Sequence, residues 1–121
     1  MFKKNIVFGP YSPCIKINNL FFFSGQIPIC LKTGLMPKNL SEQTILTLKN
    51  IKRLLYKNKL NIKNIIKTTI FTTNMDKLNE INLSYKNFFK KYTNVYPARS
   101  CIGISKLPKK AKIEIEVIAA L

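Results

Sequence analysis

The chain has 121 residues, 46% of them hydrophobic, which supplies one core and leaves nothing for a second domain, so residues 1–121 read as a single unit. Twenty-one Lys and Arg against five Asp and Glu give a formal net charge of +16, which raises nucleic acid as a partner. Histidine is absent, which excludes Ser-His-Asp and Cys-His nucleophiles, histidine bases and histidine-bearing metal sites, so any catalysis must use an acid, Arg or Lys, hydroxyls or backbone groups.

From the start of the chain, Ile6 to Phe8 after Lys3 and Lys4 is too short an apolar run for a signal peptide, and Leu20 to Phe23 is too short to span a bilayer. Gly9-Pro10-Tyr11-Ser12-Pro13 reads as extended or turning chain, because each proline restricts its predecessor and removes a backbone donor. Cys14 to Ile17 alternates as a strand, Asn18-Asn19 turns, and Leu20 to Ser24 forms the second arm of a hairpin. Gln26 to Lys38 is a loop. A helix follows, capped by Asn39 with Glu42 as its capping-box partner and an apolar stripe Ile45, Leu48, Ile51, Leu55. Its other face carries Lys49, Arg53 and Lys57 and reads as solvated.

Ile62 to Thr73 is β-branched and suits a central strand. Asp76 is placed to cap a second helix with the core stripe Leu78, Ile81, Tyr85, Phe88, Tyr92. Ser100 to Ser105 and Lys112 to Ala119 alternate as strands, the latter with Ile113, Ile115 and Val117 on one face and Glu114 and Glu116 on the other. The order β-β-α-β-α-β-β implies an α/β (α+β) fold with two helices on one face of a mixed sheet. The other sheet face then needs cover, which predicts an oligomer.

Several residues stand out chemically. Glu114 is a candidate base if a cation stands on the neighbouring strand, and Pro97-Ala98-Arg99-Ser100-Cys101 supplies one. Only Arg53 and Arg99 are arginines in this lysine-rich chain, and a guanidinium grips a carboxylate with two parallel bonds that an ammonium cannot copy. Cys101 has no base to activate it and reads as a small buried hydrophobe. Tyr11 and Ser24 carry hydroxyls beside turn glycines, and Asn82 lies beside the second helix's stripe. The four glycines are too scattered for a phosphate-cradling loop.

The lysines occur in runs no longer than two and accompany many Ile and Asn, as an AT-biased coding sequence would give. Nucleic acid binding is therefore expected to be weak, non-specific and salt-sensitive. Cys14, Cys30 and Cys101 are odd in number and lack a CxxC, which fits reduced thiols in the cytoplasm rather than a disulfide framework or zinc site.

Taken together, Gly9-Pro10-Tyr11, Ser24-Gly25-Gln26-Ile27-Pro28, the segment Asn82 to Phe89, Pro97-Ala98-Arg99-Ser100-Cys101 and Leu107-Pro108-Lys109 followed by Lys112-Ile113-Glu114-Ile115-Glu116 resemble the Rid (YjgF-like) family of reactive-intermediate deaminases, nearest its RidA subfamily. The resemblance covers nearly the whole chain in order. It implies a chorismate-mutase-like fold, a homotrimer and clefts between subunits that hydrolyse 2-iminobutanoate and 2-iminopropanoate to 2-oxo acids and ammonia. It implies no cofactor and no metal, and a supply of substrate from pyridoxal-phosphate (PLP) dehydratases acting on threonine and serine. Arg99 would bind the substrate carboxylate, Glu114 would activate water, Cys101 would contribute backbone contacts, and Tyr11, Ser24 and Asn82 would line the pocket. Two other functions remain open at this point: an RNA-binding or RNA-cleaving translation inhibitor, and a non-catalytic small-metabolite binder or holdase.

Overall fold

A computed structural model describes residues 9–121; Lys3, Lys4 and Ile6 to Phe8 lie outside the described residues. The elements in chain order are β1 (Cys14–Ile17), β2 (Leu20–Gln26), α1 (Leu40–Lys57), β3 (Ile65–Thr72), α2 (Leu78–Phe89), β4 (Ala98–Gly103) and β5 (Ile113–Ala120), with short 3-10 turns at Ile62–Asn64, Met75–Lys77 and Pro108–Lys110. This is the expected order. The first three residues assigned to the β3 strand wind instead into the turn Ile62–Asn64, where Asn61 and Asn64 cap each other. β4 begins at Ala98, so Arg99 is part of the strand rather than just before it.

The five strands form one mixed sheet in the order β1-β2-β5-β3-β4. The β3-α2-β4 crossover makes β3 and β4 parallel, as a helical connection between neighbouring strands requires, and every other pair is antiparallel. In the β1–β2 hairpin, Asn18 takes φ 53°, a left-handed conformation that asparagine tolerates in a tight turn.

Both helices cover one sheet face. Period-two alternation sends Ile113, Ile115, Val117 and Ala119 of β5 and Thr68, Ile70 and Thr72 of β3 into the core against Leu48, Ile51, Leu55, Ile81 and Phe89. The buried face of α1 is rotated from the expected stripe. Thr44 and Thr47 are fully buried while Ile45 is only partly so, because each threonine hydroxyl donates to the carbonyl four residues back, Leu40 and Gln43, at 2.8 Å and needs no outside partner. Asn39 caps α1 as expected: its Oδ1 accepts from the Glu42 N–H and its Nδ2 donates to the Glu42 carboxylate, both at 2.8 Å.

Asp76 does not cap α2. The turn Met75–Lys77 already winds into the helix, Lys77 N–H bonding to the Asn74 carbonyl at 2.9 Å, so Lys77 becomes the N-cap and no side chain is called on. The opposite sheet face has no layer over it in one chain: Ile15 is 50% exposed, Phe22 41% and Ile102 43%. The uncovered apolar face is as the sequence implied.

Ile115 sits at zero exposure in the middle of the sheet. Ile115→Ala is expected to cost about 2–5 kcal/mol in urea unfolding. Leu83→Ala, on the exposed side of α2, is expected to change stability by less than about 0.5 kcal/mol. Equal effects of the two would contradict this core.

Candidate active site

The strand register brings Arg99 beside Thr68 of β3, on the helix-covered face. There the Arg99 guanidinium lies 5.1 Å from the ring centroid of Tyr85 on α2. Tyr85 is buried, packs on Phe89 with centroids 4.6 Å apart, and shares a 2.7 Å hydrogen bond with the Thr68 hydroxyl. Burial pushes the Tyr85 phenol up, so it stays neutral, and the electron-rich face of a fixed ring supports the cation. A guanidinium held over a ring keeps its N–H donors for a further partner, and the exposed Arg99 is placed to receive one from outside the chain.

Cys101, two residues on, faces the same way and packs partly against the core, its thiol 3.8 Å from the Met75 sulfur. Burial pushes this thiol up, which opposes thiolate formation and fits the expected apolar character.

Glu114 belongs to a different neighbourhood. Between Phe23 and Gln26 the β2–β5 register shifts, so Ser24 and Gly25 form a bulge opposite Glu116. The bulge brings Gly25 so near to Glu114 that a Cβ there would collide with the carboxyl group. A side chain at position 25 would push the carboxyl out of the place it holds here. Glu114 is half-buried, and burial first, then the neighbouring Glu116 charge, push its carboxyl above the ordinary glutamate value.

The Ser24 hydroxyl donates to the Ser12 carbonyl at 2.6 Å, and the Ser24 N–H bonds to the Pro13 carbonyl at 3.0 Å. These two bonds dock the segment carrying Tyr11, itself 46% exposed, beside the bulge. Tyr11, Ser24 and Glu114 thus gather at the β2–β5 end, while Arg99 and Cys101 gather on β4. Asn82 is exposed on α2, three residues before Tyr85.

The strand carrying Glu114 is not next to the strand carrying Arg99, as the sequence reading requires. β3 lies between them, because the parallel crossover puts β4 at the sheet edge while β5 inserts between β2 and β3. Glu114 pairs with Phe71 and Arg99 with Thr68, residues of opposite faces of β3, so the carboxylate and the guanidinium sit on opposite sides of the sheet. Arg99 accordingly plays no part in shifting Glu114 within the chain, contrary to expectation. Tyr85, Thr68 and Gly25 were legible only as core or turn residues; their roles beneath Arg99 and Glu114 depend on register.

Two buried amides of α1 also went unread as positioning groups. Asn50 donates to the Ile27 and Ile29 carbonyls at 3.2 and 3.0 Å, fixing the loop after β2. Gln43 donates to the Pro37 carbonyl at 2.8 Å and accepts from the Lys112 N–H at 2.9 Å, tying that loop to the start of β5. Among the described residues no three His, Cys, Asp or Glu side chains gather as a metal cage.

The Endoribonuclease L-PSP family model matches residues 2–121. The chain belongs to the Rid (YjgF-like) family. A RutC family protein of Buchnera aphidicola subsp. Acyrthosiphon pisum is 52% identical over 111 residues, covering 92% of this chain and 87% of that one. The 2-iminobutanoate/2-iminopropanoate deaminase of Escherichia coli K12 is 38% identical over 111 residues with the same coverage. The crystal structure of E. coli TdcF with bound serine superposes with a TM-score of 0.91 at 39% identity, covering 95% of this chain and 91% of that one. This Rid chain thus shares with solved relatives its two helices on a mixed five-stranded sheet.

The Gly25–Glu114 contact generates a test. Gly25→Ala is expected to cost about 1–3 kcal/mol in urea unfolding, as an overpacked site does. In the Glu114→Ala background the same change is expected to cost nearly nothing, a coupling that additive effects of the two substitutions would refute.

Proposed function

We propose that this Rid protein is a 2-iminobutanoate/2-iminopropanoate deaminase, a single-domain cytoplasmic hydrolase that works without cofactor or metal. The observation that carries the reading is Glu114, a half-buried carboxylate with a raised pKa and a glycine-made recess, in a chain with no histidine to act as base. A carboxyl moved toward neutrality is a better general base than an ordinary glutamate. The 38% identical relative named as such a deaminase supports the same activity.

On this reading the Arg99 fork grips the substrate carboxylate through paired hydrogen bonds, and the Cys101 backbone adds a contact. Glu114 takes a proton from water as the water oxygen bonds to the iminium carbon. Glu114 returns that proton to the carbinolamine nitrogen. The C–N bond breaks with its electron pair leaving on ammonia while the hydroxyl proton passes to the Glu114 carboxylate and on to the ammonia, and the 2-oxo acid and ammonium remain. An iminium carbon is already electrophilic, so positioning and one base suffice. Tyr11, Ser24 and Asn82 wall the cleft. The substrates are the short-lived products of PLP-dependent dehydratases acting on threonine and serine.

Because Arg99 and Glu114 lie on opposite faces of one sheet, they converge only if a second copy brings its β2–β5 end to the first copy's β4. A homotrimer does this and covers the exposed apolar face of Ile15, Phe22 and Ile102 at the same time. Each cleft then takes residues from two chains.

The test is decay of 2-iminobutanoate generated by a threonine dehydratase, together with light scattering for the trimer mass. Arg99→Lys is expected to lose most activity while remaining folded, since a point charge cannot reproduce the fork. Glu114→Gln is expected to lose about a hundredfold or more, in the range of a missing general base, whereas Cys101→Ser keeps substantial activity. The ionised Glu114 is the working form, so kcat/KM should rise with pH along an acid limb centred above the ordinary glutamate pKa. That limb should vanish in Glu114→Gln. A dead Cys101→Ser beside an active Glu114→Gln would require a thiol mechanism instead.

A further inference from the structure

Past Arg99, the same face of β4 continues in a row. Strand alternation puts Arg99, Cys101 and Gly103 on one side, about 6.6 Å apart along the strand, opposite Thr68, Ile70 and Thr72 of β3. The row runs from a cation to a thiol to a position without a side chain. Met75, in the turn leading into α2, lies over its far end: its sulfur is 3.8 Å from that of Cys101, and its Cγ would stand 2.7 Å from a Cβ at Gly103. Chain neighbours aside, no other described residue comes within 4 Å of that position.

Met75 closes the row without being consumed by the core. It keeps 40% of its surface exposed, and Arg99 and Gly103 are exposed beside it. The two sulfurs are in contact, which leaves no gap between them for a third group. Neither is charged: burial pushes the Cys101 thiol up, outweighing the Arg99 charge that acts on it in the other direction. That opposing influence also places the Arg99 cation and the thiol in one neighbourhood.

An imino acid has two ends. Its carboxylate is the end an arginine fork holds, so its side chain must meet the rest of the pocket. Along this row the next groups are a neutral thiol and a thioether, which receive an alkyl chain and offer nothing to a charged or strongly polar one. Resting on the deaminase reading above, we infer that Met75 determines specificity by closing the side-chain end of the pocket. It admits the short alkyl groups of 2-iminobutanoate and 2-iminopropanoate and excludes branched or aromatic ones. Methionine is a flexible gap-filler, and shortening it opens the space that Gly103 leaves bare.

The test compares 2-iminobutanoate with 2-imino-4-methylpentanoate and 2-imino-3-phenylpropanoate, each generated from its amino acid by one broad-specificity L-amino-acid oxidase in the presence of catalase. The wild-type chain is expected to prefer the four-carbon substrate. Met75→Ala should raise kcat/KM for the two larger substrates relative to 2-iminobutanoate by about tenfold or more, the worth of one methylene in an apolar pocket. Met75→Leu, which conserves volume, should keep the wild-type ratio. The acid limb that Glu114 gives the pH profile should stay in place in both variants. Binding of the matching 2-oxo acids, measured by calorimetry, should shift in the same order and needs no turnover. Wild-type protein that binds the 2-oxo acids without deaminating would refute the deaminase reading; binding ratios that shift in Met75→Ala would then uphold the role of Met75, and unchanged ones would overturn it. A working wild-type enzyme whose ratios stay fixed in Met75→Ala, a fall common to all three substrates, or an equal shift in Met75→Leu would overturn the inference and leave the reading in place. Absence of both turnover and binding would overturn the two together.

Discussion

β5 hydrogen-bonds to β2 on one side and β3 on the other, and its two-residue period sends Ile113, Ile115 and Val117 to the helices and Glu114 and Glu116 away from them. Where Glu114 lies relative to Arg99 depends on that insertion. It separates Glu114 from Arg99 by a strand and by the thickness of the sheet. It also sets Glu114 against the bulge at Ser24 and Gly25, where the acid gains burial and a raised affinity for its proton. Glu114 and Arg99 are thus held separately, each on its own strand and on opposite faces of one sheet.

Each half is held by groups of ordinary strength. Under Arg99, the Tyr85 ring is locked by a buried 2.7 Å bond to Thr68 and by stacking on Phe89, so the guanidinium gains a fixed platform. Near Glu114, the Ser24 hydroxyl and N–H dock the Tyr11 segment, and Asn50 and Gln43 of α1 pin the loop that follows β2. These polar groups are bonded rather than left bare in the core, which keeps the cost of burying them small.

Local signals carried much of this into the sequence. The period-two run after Lys112, the Asn39–Glu42 cap and the five spaced blocks around Tyr11, Gly25, Asn82, Arg99 and Glu114 are short-range patterns, and they lead to the fold and the family. What depends on pairing partners was not legible. Nothing near Arg99 in the chain tells that β4 lies at an edge with β3 between it and β5. Nothing near Tyr85 distinguishes a core ring from a platform for a cation. Asp76 failed as a cap because the preceding turn already supplied the backbone bonds.

The central claim is that the fork and the base of one reaction centre come from different copies of the chain. Mixed assemblies of Arg99→Ala and Glu114→Gln subunits test it most directly, since each variant alone lacks one half of every site. If the halves come from different copies, random assortment in a trimer restores about one intact site in four, and deamination of 2-iminobutanoate returns in that proportion. Mixed oligomers, verified by mass, that stay as inactive as either variant alone would show that both groups act from within one chain and would contradict the account.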